Sequence, residues 1–197
     1  MPLPAPTVEL VNAEDDEFDS NYQVVEEAIR QLISKFPHNT EISQVLLKVV
    51  LVNNLYGAGI PQKHVETVAR HIAGLHIDAA LAEGKTAIVD SIITCGGLKE
   101  KYFSFASKFC SWHNPTAYPM YDRNVDECLW SYNKQDHFTT YNRGSYSYVQ
   151  FGAVVTAFRN FYGLNSVTFK DLDKFLWRQG EKLLAEKAER KRRAGDR

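Results

Sequence analysis

Residues Ile92–Trp130 read IITCGGLKEKYFSFASKFCSWHNPTAYPMYDRNVDECLW, and the punctuation of this run decides the fold. Gly96 and Gly97 break the chain sharply, and Leu98–His113 then carries apolar residues at helical spacing. Pro115 and Pro119 enforce an extended loop, after which Asn124–Tyr132 resumes as helix with Asp122 at its start. The spacing predicts two helices joined by a proline-bounded loop, with a carboxylate where the second begins.

The same period extends outward in both directions. Val24, Val25, Ala28, Ile29, Leu32, Ile33 and Phe36 recur at steps of three and four, giving one apolar face that Pro37 closes. Ile42–Leu55 is apolar nearly all round and is therefore expected at the centre. Gly57-Ala58-Gly59 breaks it, Pro61 fits the first turn of a third helix, and Gly74 ends that one. Short helices follow at Asp78–Gly84 and Thr86–Ile93, and longer ones at Ser145–Tyr162 and Phe169–Glu186. Thr168 and Asp171 form a capping pair for the last. No stretch shows strand alternation with hairpin turns. The fold class is all-α, a single compact multi-helix domain of eight to ten helices.

Composition narrows the function. In 197 residues, 44% are hydrophobic and 24% charged, the balance of a globular chain with a real core. The net charge of −1 is unevenly spread. Residues 1–19 hold six acids and no base, residues 187–197 hold six bases against two acids, and the body between has 17 bases and 16 acids. We therefore expect a flexible acidic arm over residues 1–20, a helical domain over 21–186 and a basic tail over 187–197. A neutral body excludes a general polyanion sponge but not a local basic face. No apolar run approaches the roughly 18 residues of a membrane span, and Met1–Asp19 lacks the basic start of a signal peptide. Cys95, Cys110 and Cys128 pair neither evenly nor at metal-ligand spacing, so reduced thiols in a cytoplasmic protein are expected. His64 and His71 lie seven apart with no third ligand, so no metal site and no cofactor is read here.

Nucleophile elbows, phosphate loops and zinc-protease helices are absent. What remains is Asp122, with Lys101, Ser104 and Lys108 expected on one helical face before it. Of the 24 aromatic residues, 17 lie between Tyr102 and Tyr162. Tyr118, Tyr121, Tyr141, Tyr146 and Tyr148 gather near one loop, which suits either a core or a pocket for a flat ligand. Asp122 itself suits two roles. Either it is merely an N-cap, or it is a carboxylate that stabilises positive charge developing in a reaction.

The order of glycine turn, helix, proline loop and aspartate resembles the helix-hairpin-helix DNA glycosylase superfamily, in its 8-oxoguanine-glycosylase-like form. Tyr118-Pro119-Met120-Tyr121-Asp122-Arg123-Asn124-Val125 matches that family's approach to its essential aspartate with one residue inserted. About 40 residues match well. The hairpin lacks the family's second spaced glycine, and the lysines stand 21 (Lys101) and 14 (Lys108) residues before Asp122, off the family's register.

The resemblance implies a DNA N-glycosylase acting on double-stranded DNA as a monomer, flipping a modified or mismatched base. The role would be repair, or defence against the bulky modified bases of phage DNA. It implies Asp122 and Lys101 as catalytic residues. DNA or base contacts would come from Asn53, Asn54, Tyr56, Gly96, Gly97, Lys108, His113, Tyr118, Tyr121 and Arg123. No membrane, metal, cofactor or obligatory protein partner is implied, and water rather than lysine is expected to attack. The alternative is a non-catalytic nucleic-acid-binding domain of the same fold; a protein-interaction domain engaging partners through its charged ends is a third reading.

Overall fold

A computed structural model describes residues 3–95, 97–140, 143–144 and 147–195, without the side chains of 15–22 and 194–195. Gly96, Tyr141 and Tyr146 fall outside the described residues. Helix α1 spans Val8–Lys35. It is followed by α2 (Ile42–Leu55), α3 (Gln62–Gly74), α4 (Asp78–Ala82), α5 (Ala87–Ile93) and α6 (Phe103–His113). Then come α7 (Arg123–Asp136), α8 (Tyr148–Phe161) and α9 (Phe169–Gly195). The described residues contain no strand, so the chain is an all-α domain.

Local chemistry sets most of these boundaries. The Thr7 hydroxyl caps α1 by accepting from Leu10 N–H at 3.2 Å. Ser147 and Gln150 form a reciprocal capping box on α8, and Thr168 caps α9 through Asp171 N–H. Asp122 caps α7. Helix α6 starts five residues later than its apolar pattern suggests. The intervening segment turns back on itself at Gly97 (φ +84°), with Leu98 N–H bonded to Cys95 C=O.

Within the segment expected as an acidic arm, residues 3–14 make contacts with the rest of the domain. Helix begins at Val8, Val11 is wholly buried, Leu3 N–H donates to Gln135 Oε1 at 2.7 Å, and Tyr132 Oη donates to Pro4 C=O at 2.9 Å. Two acids of α1 find cations on α9. Glu14 pairs with Arg178 and Lys182, both at 2.7 Å, and Glu26 pairs with Lys170 at 2.5 Å. Glu14, which opens the acidic run, is thus paired with cations far along the chain. The basic tail is likewise the end of α9, and its Lys187 pairs with Glu127.

Helix α6 is buried from Phe105 to Ser111 and packs against α5, α2 and α1. Helix α2 is less central than expected: Leu47 is exposed, as is Leu55. Three of the tyrosines are core residues with satisfied hydroxyls. Tyr118 donates to Ala80 C=O at 3.0 Å, Tyr148 to Pro119 C=O at 2.8 Å, and Tyr132 to Pro4. All three cysteines are free and buried.

The tightest packing is between α7 and α9. A Cβ at Gly180 of α9 would stand 1.9 Å from Asn124 C=O, backbone against backbone. Glycine inside a helix ordinarily costs about 1 kcal/mol against alanine. Here the sign reverses: Gly180→Ala is expected to destabilise the protein by about 1–3 kcal/mol through overpacking. Urea unfolding measures this directly, and a neutral or stabilising substitution would contradict the close approach.

Candidate functional site

Three anchors tie the loop Asn114–Asp122 to α6, α8 and α4. Tyr121 N–H donates to Ser107 Oγ at 2.9 Å, Pro119 C=O accepts from Tyr148, and Asn114 Nδ2 donates to Leu81 C=O. They deliver Asp122 to the side of Lys108. One carboxylate oxygen, Oδ1, accepts from Asn124 N–H at 3.0 Å as the cap of α7. The other, Oδ2, accepts from Lys108 Nζ at 2.8 Å. Lys108 also donates to Ser104 Oγ at 3.0 Å and lies 5.7 Å from the centre of the Tyr56 ring. Its side chain is 5% exposed while that of Asp122 is 22% exposed, so the pair stands at the edge of the interior.

The pair forms part of the wall of a cavity of about 200 Å³, which Tyr56, Met120, Asp173 and Trp177 also line. Asp173 comes from α9, and its Oδ1 is shut off from solvent with no hydrogen-bond partner. Burial pushes this carboxyl up to about 8; the nearby Lys108 opposes the shift and the Asp122 charge adds to it. The cavity thus holds one ion pair, the buried Lys174, and one carboxyl that burial favours in the neutral form. Tyr56, raised far above its ordinary value chiefly by burial, stays a neutral phenol.

The expected residues separate into those the structure brings together and those it does not. Asp122, Lys108 and Tyr56 meet at the cavity. Lys101 does not join Lys108, because α6 begins only at Phe103 and the shared helical face therefore never forms. Lys101 is exposed and lines a separate depression with Asp90, Phe103, Tyr121 and Ser147. Tyr121 packs edge-on against Phe103 at 4.6 Å. Asn53 is buried as a clamp on its own loop, giving to Ile60 C=O and taking from Ile60 N–H at 2.9 and 2.8 Å. Asn54 and Arg123 are exposed. Gly97 occupies the left-handed turn before α6.

Tyr118 belongs to the core and not to a base-contacting surface. His113 is turned inward, its Nδ1 bonded to Phe109 C=O at 2.8 Å, and burial lowers its ring to about 4, leaving it neutral. Asp126 pairs with Arg143 at 2.6 Å. His64 and His71 are bound to Tyr102 Oη and Ser91 C=O, at 2.5 and 2.8 Å. Among the described residues no three His, Cys, Asp or Glu side chains are grouped to hold a metal ion, and no helix is long and apolar enough to cross a membrane. Asp173 and Trp177 were missed by sequence reasoning; their i, i+4 spacing on an amphipathic helix was the available signal.

Comparison with known proteins places residues 8–117 in the N-terminal domain described by the HI_0787_N family model. An uncharacterized protein of Haemophilus influenzae is 38% identical over 150 residues, covering 74% of this chain and 70% of the relative. No solved structure matches. The family match includes Tyr56 and Lys108 and stops short of Asp122 and Asp173.

The buried acid makes stability depend on pH with a definite sign. Folding raises the Asp173 value from 3.8 to about 8, so the native state holds a proton that the unfolded chain releases. Its contribution to stability therefore declines as pH rises from about 4 to about 8 and levels off above. The stability of Asp173→Asn relative to the wild type should increase across that window, as read by urea melts at successive pH values. A pH-independent difference would mean that Asp173 titrates as an ordinary carboxylate.

Proposed function

The chain belongs to the HI_0787_N family, and we propose that it is a DNA N-glycosylase that receives a flipped base in the cavity beside the Lys108–Asp122 pair. The observation that carries this reading is the ion pair itself, 2.8 Å long and set in the wall of a cavity with two aromatic side chains. Breaking the bond between a base and deoxyribose develops positive charge on the sugar, and a fixed carboxylate lowers that barrier. Asp122 is held fixed by bonds to both its oxygens. Tyr56 and Trp177 offer flat faces to a base.

In this reading Lys108, not Lys101, is the amine of the site. Its Nζ is committed to Asp122 and Ser104, which supports a positioning role and attack by water. The turn around Gly97 between α5 and α6 takes the place of the phosphate-binding hairpin, and the finer fold assignment is to the helix-hairpin-helix glycosylase type. Double-stranded DNA is the partner, bound by the monomer through few phosphate contacts, in repair or defence. One observation favours a binding domain without chemistry: both Asp122 oxygens already have protein partners, as a purely structural cap would.

Incubation with a panel of DNAs bearing natural, damaged and hypermodified bases, scored for abasic sites, tests the function. Asp122→Asn keeps the cap but removes the charge, and excision should fall by roughly two to four powers of ten. Lys101→Ala should be close to wild type. Lys108→Ala should lower excision without abolishing it, and borohydride should trap no covalent complex. Full activity in Asp122→Asn would end the mechanism. Salt-dependent DNA binding with no abasic product from any DNA in the panel would select the binding domain.

A further inference from the structure

We propose that Asp173 selects what enters the cavity, pairing with flat heterocycles that carry a basic ring nitrogen beside an exocyclic amine, the edge shared by cytosine and adenine. This rests on the reading of the cavity as a base pocket. The first support is geometric. Asp173 lines the cavity from α9, and its Oδ1 is buried without a hydrogen-bond partner. A buried polar atom left unpaired costs about 1–3 kcal/mol, and a ligand that pairs it recovers that cost.

The second support is the division of charge around it. Lys108 gives its hydrogen bonds to Asp122 and Ser104, and Lys174 lies 4.0 Å from Glu26. The groups acting on Asp173 are thus Lys108 from α6, Asp122 at the start of α7, Lys174 on its own helix and Glu26 from α1. Burial chiefly disfavours a negative charge on Asp173, the Asp122 and Glu26 carboxylates add to it, and the Lys108 and Lys174 ammoniums oppose it. At neutral pH the carboxyl presents an O–H donor and a C=O acceptor side by side.

That pair complements a ring nitrogen, which accepts, next to an amine, which donates. Thymine and uracil carry N3–H in place of that ring nitrogen and a carbonyl in place of the amine, so the acid O–H meets only a carbonyl, and an acid binds the more basic acceptor more strongly in a low-dielectric site. The Tyr56 and Trp177 side chains supply the contact surface for a flat ring. A cavity of about 200 Å³ falls below the size of sites for larger ligands and suits one base.

Calorimetric titration of the full chain with free cytosine, adenine and thymine, at successive pH values, tests the inference without relying on catalysis. Cytosine and adenine should bind more tightly than thymine. Their apparent affinity should fall about 30-fold between about pH 6.5 and about pH 9.5 as the acid form is depleted. Asp173→Asn should remove that pH dependence. Equal binding of thymine, a flat pH profile in the wild type, no binding of either aminated base, or an unchanged profile in Asp173→Asn would each overturn the assignment. The wild-type pH series and the base comparison decide the matter even where the variant does not fold. Failure of the glycosylase reading is separate: pH-dependent base binding with no excision from any DNA leaves the pocket assignment standing, whereas excision with base binding indifferent to pH removes only the role of Asp173.

Discussion

Helix α9 runs so near the start of α7 that only a residue without a side chain fits at the contact. Gly180 meets the Asn124 carbonyl there, two residues after Asp122. Two turns earlier on α9, Asp173 faces the cavity, with Trp177 between them in the sequence. The close approach therefore fixes the spacing between the two carboxyl groups. A bulkier residue at position 180 would push α9 outward and open the wall that Asp173 and Trp177 contribute. The site is in this sense a by-product of backbone packing, set by a residue that touches none of its chemistry.

Within that wall, the Lys108 ammonium is bonded to only one of two acids. Asp122 holds it because the α7 N-terminus also supplies an N–H to the same carboxylate, so both oxygens are satisfied. Asp173 has no such help, and burial leaves it with its proton. Two carboxyl groups in one cavity are thereby driven into different states by their surroundings, the condition under which one group carries charge while the other donates a hydrogen bond.

Much of the fold was legible from local signals. Proline and glycine marked where helices stop, and periodicity marked where they run, because both act over a few residues. Asp122 was legible because a carboxylate at a helix start after a proline loop is a local pattern. The acidic N-terminus was not, since its cations lie more than 140 residues away in α9. Lys101 and Lys108 were placed on one face by extending a helix through residues that the chain spends on a turn. The tyrosines of the central loop suggested a pocket, but Tyr118 and Tyr148 spend their hydroxyls on backbone carbonyls in the core. The aromatic wall comes instead from Tyr56 and Trp177, 121 positions apart, a pairing that only tertiary structure creates.

The pairing of α1 with α9 bears on the order in which the molecule is made. Glu14 and Glu26 leave the ribosome early, at a pace of about 5–20 residues per second, and their partners Arg178, Lys182 and Lys170 leave late. Until then α1 carries buried-to-be acids with no counter-charge and lacks the surface against which Val11 packs. Contacts of such long sequence separation are closed last and slow the rate of folding. The cavity can assemble only in that same final step, because α9 provides one wall of it. A nascent chain therefore displays neither the paired acids nor a competent pocket until α9 has been made.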